Sequence, residues 1–240
     1  EITLAAAIRL GFYTDTYDAA GAPASAERTD FPTAEALAAA MSVFLGEIDQ
    51  IPPPYSAKKL AGKPLYSYAR RNLEVERKPS RVRVRSFRLL SYDPPVAEAE
   101  VRCSSGTYVR SLAHDLGRAL GCGAHLAGLV RTAIGPYRVE DGLSPEEIRD
   151  LRASGRTDRF LIPLGRLLRD RPGFTLAPGE IEDVRCGRAV RPQGPRVEPE
   201  SPEPSLSSSV VRILGPDGAL LALARPGADP GSFAPVVVFL

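Results

Sequence analysis

Two stretches with a strict two-residue period constrain the fold of this chain more than anything else in it. Arg81-Val82-Arg83-Val84-Arg85 puts three arginines on one side of an extended backbone and two valines on the other. Residues 97–103 repeat the pattern, with Ala97, Ala99, Val101 and Cys103 on one face and Glu98, Glu100 and Arg102 on the opposite one. Strands with faces this different belong in a sheet that is packed on one side and wet on the other, which is the antiparallel arrangement; strands of a doubly wound parallel sheet read as unbroken apolar runs. Ile8-Arg9-Leu10-Gly11 reads as the end of a further strand, and helical spacing fills the remainder. Thr33 is a natural N-cap for a helix over 33–45, with Leu37, Met41 and Phe44 or Leu45 on one face. Pro64 suits the first turn of a short helix ending near Arg71, with Asn72 as its left-handed stop. After Gly106, the residues Val109, Leu112, Ala113, Leu116 and Leu120 recur at helical spacing up to Gly121, and the polar face carries Arg110, His114 and Arg118.

The expected architecture is therefore α+β: a mixed, mainly antiparallel sheet with flanking helices over residues 1–168, then a small β module over 172–240. Arg171-Pro172-Gly173 marks the boundary, and 195–209, rich in Pro, Ser and Glu, is expected to be a mobile loop. Residues 210–214 and 220–224 flank a Gly-Pro-Asp-Gly turn and form a predicted hairpin, with a last strand at 235–240. A chain of 240 residues, 43% of them hydrophobic, has ample material for a core. It has no apolar run of membrane-spanning length and no signal-peptide pattern, so a cytoplasmic address is expected. Three cysteines without Cys-x-x-Cys spacing and two histidines support neither a disulfide framework nor a metal site. His114 and His125 read as polar surface or loop residues, and Cys103 as core. The start at Glu1, with Met41 the single methionine, implies polypeptide upstream.

Charge separates function classes further. The formal net charge is only +2, yet residues 58–88 hold eleven Lys and Arg against Glu74 and Glu76, an excess of nine that leaves the rest of the chain net acidic. Concentrated positive charge of this kind fits a polyanion, RNA above all, although a solvated charged face would have the same composition. Binding through it would depend strongly on salt. Just before it, Gln50-Ile-Pro-Pro-Pro-Tyr-Ser-Ala-Lys58 contains three prolines that forbid helix and stiffen the path. The segment 103–117 then turns through Gly106 and presents Tyr108 and Arg110 side by side. An aromatic ring beside a permanent cation suits something flat and anionic, and it equally suits a core lid next to a surface ion pair.

The run from Gln50 to Arg70, Gly106-Thr-Tyr-Val-Arg110, Leu116-Gly117 and Gly121-Cys-Gly-Ala-His-Leu-Ala-Gly-Leu-Val-Arg131 resemble, in order and spacing, the bacterial TruB family of tRNA pseudouridine synthases. The resemblance covers about Arg9 to Val139, with a looser likeness of the C-terminal part to the family's PUA-like RNA-binding module. It implies an enzyme that isomerises the T-loop uridine of tRNA, uridine 55, to pseudouridine. The base is flipped out, the glycosidic bond is cleaved and the base is rejoined through carbon, without metal or organic cofactor. On that resemblance Tyr108 lies against the flipped uracil, Arg110 holds the catalytic carboxylate and Leu129 supplies an apolar wall. Leu4, Tyr55, Lys58, Lys59, Arg81, Arg83, Arg85 and Arg131 complete the expected tRNA-binding set, and the protein is expected to act as a monomer away from membranes.

Two positions depart from the family. Its catalytic aspartate lies in a Gly-x-x-Asp-Pro-x-Ala-Thr-Gly loop that these residues do not contain, so that aspartate is expected upstream of Glu1 and the 240 residues alone are expected to be inactive. Asp15 and Asp18 belong instead to a following Thr-Asp-Thr-x-Asp element. Leu4 stands where the family has a tyrosine, and Ile2 where it has a lysine. The alternative function is a tRNA-binding or tRNA-folding protein of the same fold without catalysis.

Overall fold

A computed structural model describes all residues except Ala61, Asn72, Glu74, Leu167, Asp170, 200–209 and Leu240. The proposed stop at Asn72 and most of the 195–209 tract lie outside the described residues. The chain forms two compact units, Glu1–Asp141 and Gly142–Leu240.

The first unit is a six-stranded antiparallel sheet with helices on one face. Its strands are β1 (Ile2–Leu10), β2 (Gly46–Gln50), β5 (Ser80–Asp93), β6 (Val96–Cys103), β7 (Ala124–Ile134) and β8 (Tyr137–Arg138), in the order β2-β5-β6-β1-β7-β8. Two-residue strands β3 (Lys59–Leu60) and β4 (Lys63–Pro64) form a separate ribbon that leads into α2 (Leu65–Ala69), with Pro64 at the N-cap. Helices α1 (Ala34–Ser42) and α3 (Val109–Leu120) cover the sheet. Thr33 caps α1 by accepting the Ala36 amide, and Leu37 and Met41 are fully buried. In β6 the alternation is realised residue by residue: Ala97, Ala99, Val101 and Cys103 are at most 1% exposed. Small side chains at Ala6, Ala97 and Ala99 let the helices approach the sheet closely, and Leu112 and Leu116 of α3 fill the space. Each such leucine removed from water contributes roughly 1.5–3 kcal/mol.

β1, of which the sequence reading shows only the end, is the central strand. It pairs antiparallel with β6 on one side and β7 on the other, and buries Leu4, Ala6, Ile8 and Leu10. β5 buries Val82 and Val84, shifts register between Val84 and Ser86, and thereafter buries Phe87. The irregularity at Arg85 thus moves the inward phase from even to odd positions, which is how one strand continues to Asp93 beyond the five-residue alternation.

In the second unit a five-stranded sheet is ordered β10-β9-β11-β12-β13, from β9 (Gly173–Thr175), β10 (Arg196–Val197), β11 (Val211–Leu214), β12 (Leu220–Pro226) and β13 (Phe233–Val238). The β11–β12 hairpin is antiparallel, whereas β9 and β11 run parallel. α5 (Ile181–Arg185) adds Val184 to a core around Ile213 and Ala222. Residues 142–168, assigned by the sequence reading to the first domain, fall within the second unit. Arg212, 4% exposed, donates to the carbonyls of Arg171 (3.0 Å) and Gly165 (3.4 Å) and ties that stretch to the C-terminal sheet. The stretch also contains α4 (Pro145–Ala153), which the sequence reading missed despite its signal: Ser144-Pro-Glu-Glu147 is a complete capping box with Pro at the first helical position.

Candidate active site and RNA interface

The site is built where β6 runs into α3. Gly106, at φ 83°, takes the left-handed conformation that lets the chain reverse, and the Thr107 hydroxyl donates to the Ser104 carbonyl at 2.9 Å. Tyr108 is then the N-cap of α3, in an extended conformation and with no side-chain cap of its own. Its backbone is held instead by Gln50, the last residue of β2. The Gln50 side-chain oxygen accepts the Tyr108 amide at 2.8 Å, and the side-chain nitrogen donates to the Tyr108 carbonyl at 3.0 Å. One turn on, the Ser111 hydroxyl donates to the Ile51 carbonyl at 2.8 Å.

Arg110 ties three chain segments together. Its Nη1 donates to Asp18 Oδ2 at 2.8 Å and to the Thr16 carbonyl at 3.3 Å, and its Nη2 donates to the Tyr55 carbonyl at 2.9 Å. Asp18 also accepts from the Thr16 hydroxyl at 2.7 Å and from the Ala20 amide at 3.1 Å. Burial pushes the Asp18 pKa up, but the donors Thr16, Ala20 and Arg110 outweigh it and hold the carboxyl below its usual range. Asp15, by contrast, serves its own turn by accepting the Ala22 amide at 2.9 Å. Asp18 of the Thr-Asp-Thr-x-Asp element thus already engages Arg110, a partner the sequence reading did not assign to it. Sequence reasoning also missed Gln50, which is 3% exposed; its signal in the chain is a polar residue one position ahead of the Ile51-Pro-Pro-Pro54 run.

The other candidate residues divide by face. Leu4 pairs with Arg131 and Ala6 with Leu129 across β1 and β7, so Leu4, Leu129 and Arg131 share one side of the sheet. Leu4 is 6% exposed and packed in the core, whereas Leu129 is 46% exposed. Tyr55 lines a cleft of about 660 Å³ with Asp15, Pro54, Leu65, Ala69, Leu73, Val75 and Arg77. Lys59 is exposed in the β3–β4 ribbon, while Lys58 donates to the Lys78 carbonyl at 3.1 Å and to the Ser80 hydroxyl.

Two readings need correction. The arginines of the alternating strand are not a bare cationic stripe. Arg83 meets Glu47 at 2.5 Å, Arg81 meets Glu47 at 3.3 Å and Asp49 at 3.6 Å, and Arg85 meets Glu1 at 2.8 Å. Counting charges along a window cannot register acids that antiparallel pairing brings in from β2 and from the chain start. The histidines are not surface residues either. His125 is 3% exposed, and His114 stacks on Tyr17 with ring centroids 3.7 Å apart. Burial, reinforced by Arg118 and Arg77, lowers the His114 pKa to about 4.

The His114 shift has a measurable sign. The unfolded chain takes up this proton near pH 6.5, while the folded chain resists it down to about 4, so stability from neutral His114 is complete above pH 6.5 and lost as pH falls toward 4. Between pH 7 and pH 5 the parent is expected to lose up to about 2 kcal/mol more than His114→Gln in urea unfolding. Taking the difference between the two proteins removes the contributions of Asp18 and Asp115; equal losses would show that His114 titrates normally.

Residues 3–109 match the TruB family pseudouridylate synthase N-terminal domain, and residues 110–169 match the tRNA pseudouridylate synthase B C-terminal domain. The tRNA pseudouridine synthase B of Cupriavidus metallidurans is 42% identical over 229 residues, covering 93% of this chain and 70% of that protein. The protein of the same name from Thiobacillus denitrificans is 38% identical over 230 residues, covering 96% and 72%. Among solved structures, a Cbf5–Nop10–Gar1 complex aligns at a TM-score of 0.70 and 21% identity over 99% of this chain and 65% of the other. An H/ACA ribonucleoprotein bound to a substrate RNA containing 2'-deoxyuridine aligns at 0.68 and 19%, over 100% and 66%. These structural likenesses concern the fold, and the chain spans about two thirds of the length of those solved chains. With the two matched domains running end to end from residue 3 to 169, the chain belongs to the TruB family of pseudouridylate synthases.

Proposed function

We propose that this chain is the bulk of a cytoplasmic, monomeric enzyme that converts uridine 55 in the T-loop of tRNA to pseudouridine, its catalytic aspartate lying upstream of Glu1. The observation that carries the reading is the first turn of α3, entered through Tyr108, where Arg110 is fixed from three sides by Asp18, Thr16 and Tyr55. A guanidinium has five N–H donors, and these partners engage three, so two remain to orient a second carboxylate. Tyr108 supplies a ring for the flipped uracil and a hydroxyl within its own side chain for proton transfer. Lys59, exposed on the ribbon, and Arg131, exposed on β7, are cations suited to the phosphates around the loop. The second unit serves as a PUA-like RNA-binding module on the same reading.

Isomerisation replaces the hydrogen on C5 of uracil by the sugar carbon, so tritium release from 5-tritiated uridine in a T-loop hairpin reports turnover directly. The 240 residues are expected to bind the hairpin without releasing tritium, and the chain carrying its upstream segment is expected to release it. Turnover by the 240 residues would move catalysis to Asp15, Asp18 or Asp115. An inactive extended chain that still binds tRNA would leave a tRNA-binding or tRNA-folding protein.

A further inference from the structure

We infer that Gln50 is a positioning residue that sets the backbone of Tyr108 for the isomerisation, an assignment that rests on the reading of Tyr108 above. Gln50 is 3% exposed, and its side-chain amide spends both ends on one residue, accepting from the Tyr108 amide at 2.8 Å and donating to its carbonyl at 3.0 Å. A helix start ordinarily has amides in need of a partner, and here no side chain of α3 caps it. A two-point bond to one peptide residue fixes rotation as well as distance, which a single bond does not. Gln50 is itself anchored as the last residue of β2, opposite Ser80 of β5, so the sheet holds the amide rigidly. The next residues repeat the attachment: the Ile51 carbonyl accepts from Ser111 and the Tyr55 carbonyl from Arg110. The proline-stiffened loop 51–55 and the first turn of α3 therefore move as one piece, and Gln50 is the part that touches Tyr108.

Gln50→Glu tests this with little change in shape. The ionised carboxylate accepts from the Tyr108 amide but confronts the Tyr108 carbonyl without a proton, whereas the protonated acid restores a donor and an acceptor. Burial raises the pKa of the introduced acid; Lys58, bonded to Ser80, and Arg77, bonded to the Pro52 carbonyl, pull it down. In the chain carrying its upstream segment, Gln50→Glu at pH 7.5 is expected to lower kcat about 10²-fold with KM nearly unchanged, since misplacement of a reacting group acts on the chemical step. Relative to the parent at each pH, the loss should shrink as pH falls toward 5.5. Gln50→Leu, which can make neither bond, should lose as much at every pH. Thr33→Ala, which removes the cap of α1 and touches nothing in the site, should lower the melting temperature and leave kcat alone.

A Gln50→Glu deficit independent of pH, or one confined to KM, overturns the assignment, as does an equal loss of kcat in Thr33→Ala. Should the position 50 variants fail to fold, amide hydrogen exchange in the parent decides: slow exchange at Tyr108 supports the two-point bond, and exchange at the free-peptide rate overturns it. A parent without turnover would instead sink the synthase reading, which the exchange rate at Tyr108 does not depend on.

Discussion

Arg110→Ala is expected to lower the kcat of the extended chain about 10²- to 10³-fold while tRNA affinity changes little, because on the proposed reading the guanidinium acts on a carboxylate rather than on phosphate. Arg110 lies at a crossing of the 16–18 turn, the proline loop and α3, with side-chain exposure of 25% against 26% for Asp18. Its removal strips a donor from Asp18 and from two carbonyls, so stability falls as well, by about 1–3 kcal/mol. Single-turnover tritium release, normalised to the folded fraction, separates the two effects. Arg110→Lys keeps the charge but offers one nitrogen where the structure uses two, so it should recover binding geometry poorly. Turnover within threefold of the parent in Arg110→Ala would remove Arg110 from the chemistry.

Gly117→Ala is expected to destabilise the first unit by about 3 kcal/mol or more, lowering the melting temperature by roughly 10 °C. In an exposed helix the same change stabilises by about 1 kcal/mol, through lower chain entropy in the unfolded state and better helix propensity. Here a Cβ at position 117 would lie 2.1 Å from the Ala124 amide nitrogen and 2.5 Å from the Gly123 carbonyl carbon. Backbone, not a flexible side chain, fills that space. The Gly117 carbonyl also accepts the Gly123 amide at 3.1 Å, so α3 and the start of β7 meet with nothing between them. Displacing that junction disturbs β7, and with it Leu129 and Arg131. A thermal melt of Gly117→Ala matching the parent would show that the helix and strand can separate without cost.

Local periodicity made much of the fold readable. The two-residue period of 81–85 and 97–103 and the helical spacing of 109–120 each follow from which face of one element is buried, and burial bears them out at Val82, Val84, Ala97 to Cys103 and Leu112. The left-handed stop at Gly121 is local in the same way, with φ 72°. The limits of the reading also have physical causes. β1 escaped notice beyond its last residues because a central strand rich in alanine carries little hydrophobic contrast, although it alternates in burial from Leu4 to Leu10. The long β5 was read short because its register shift at Arg85 breaks the alternation partway along.

The sequence by itself determined the half-buried antiparallel sheet, the helix that presents Tyr108 and Arg110, and the ordered motifs that mark the TruB family, since these depend on residues close together in the chain. Only the tertiary structure decided what those residues meet. Asp18 reaches Arg110 across 92 positions, Gln50 reaches Tyr108 across 58, and Glu47 crosses 36 to neutralise Arg83. Such meetings depend on sheet order and register, which are set by the packing of the whole core and leave no periodic trace in any one segment. The same packing turned His114 from a polar helix position into a stacked, neutral ring, because the 13–17 turn folds over α3 and brings Tyr13 and Tyr17 against it.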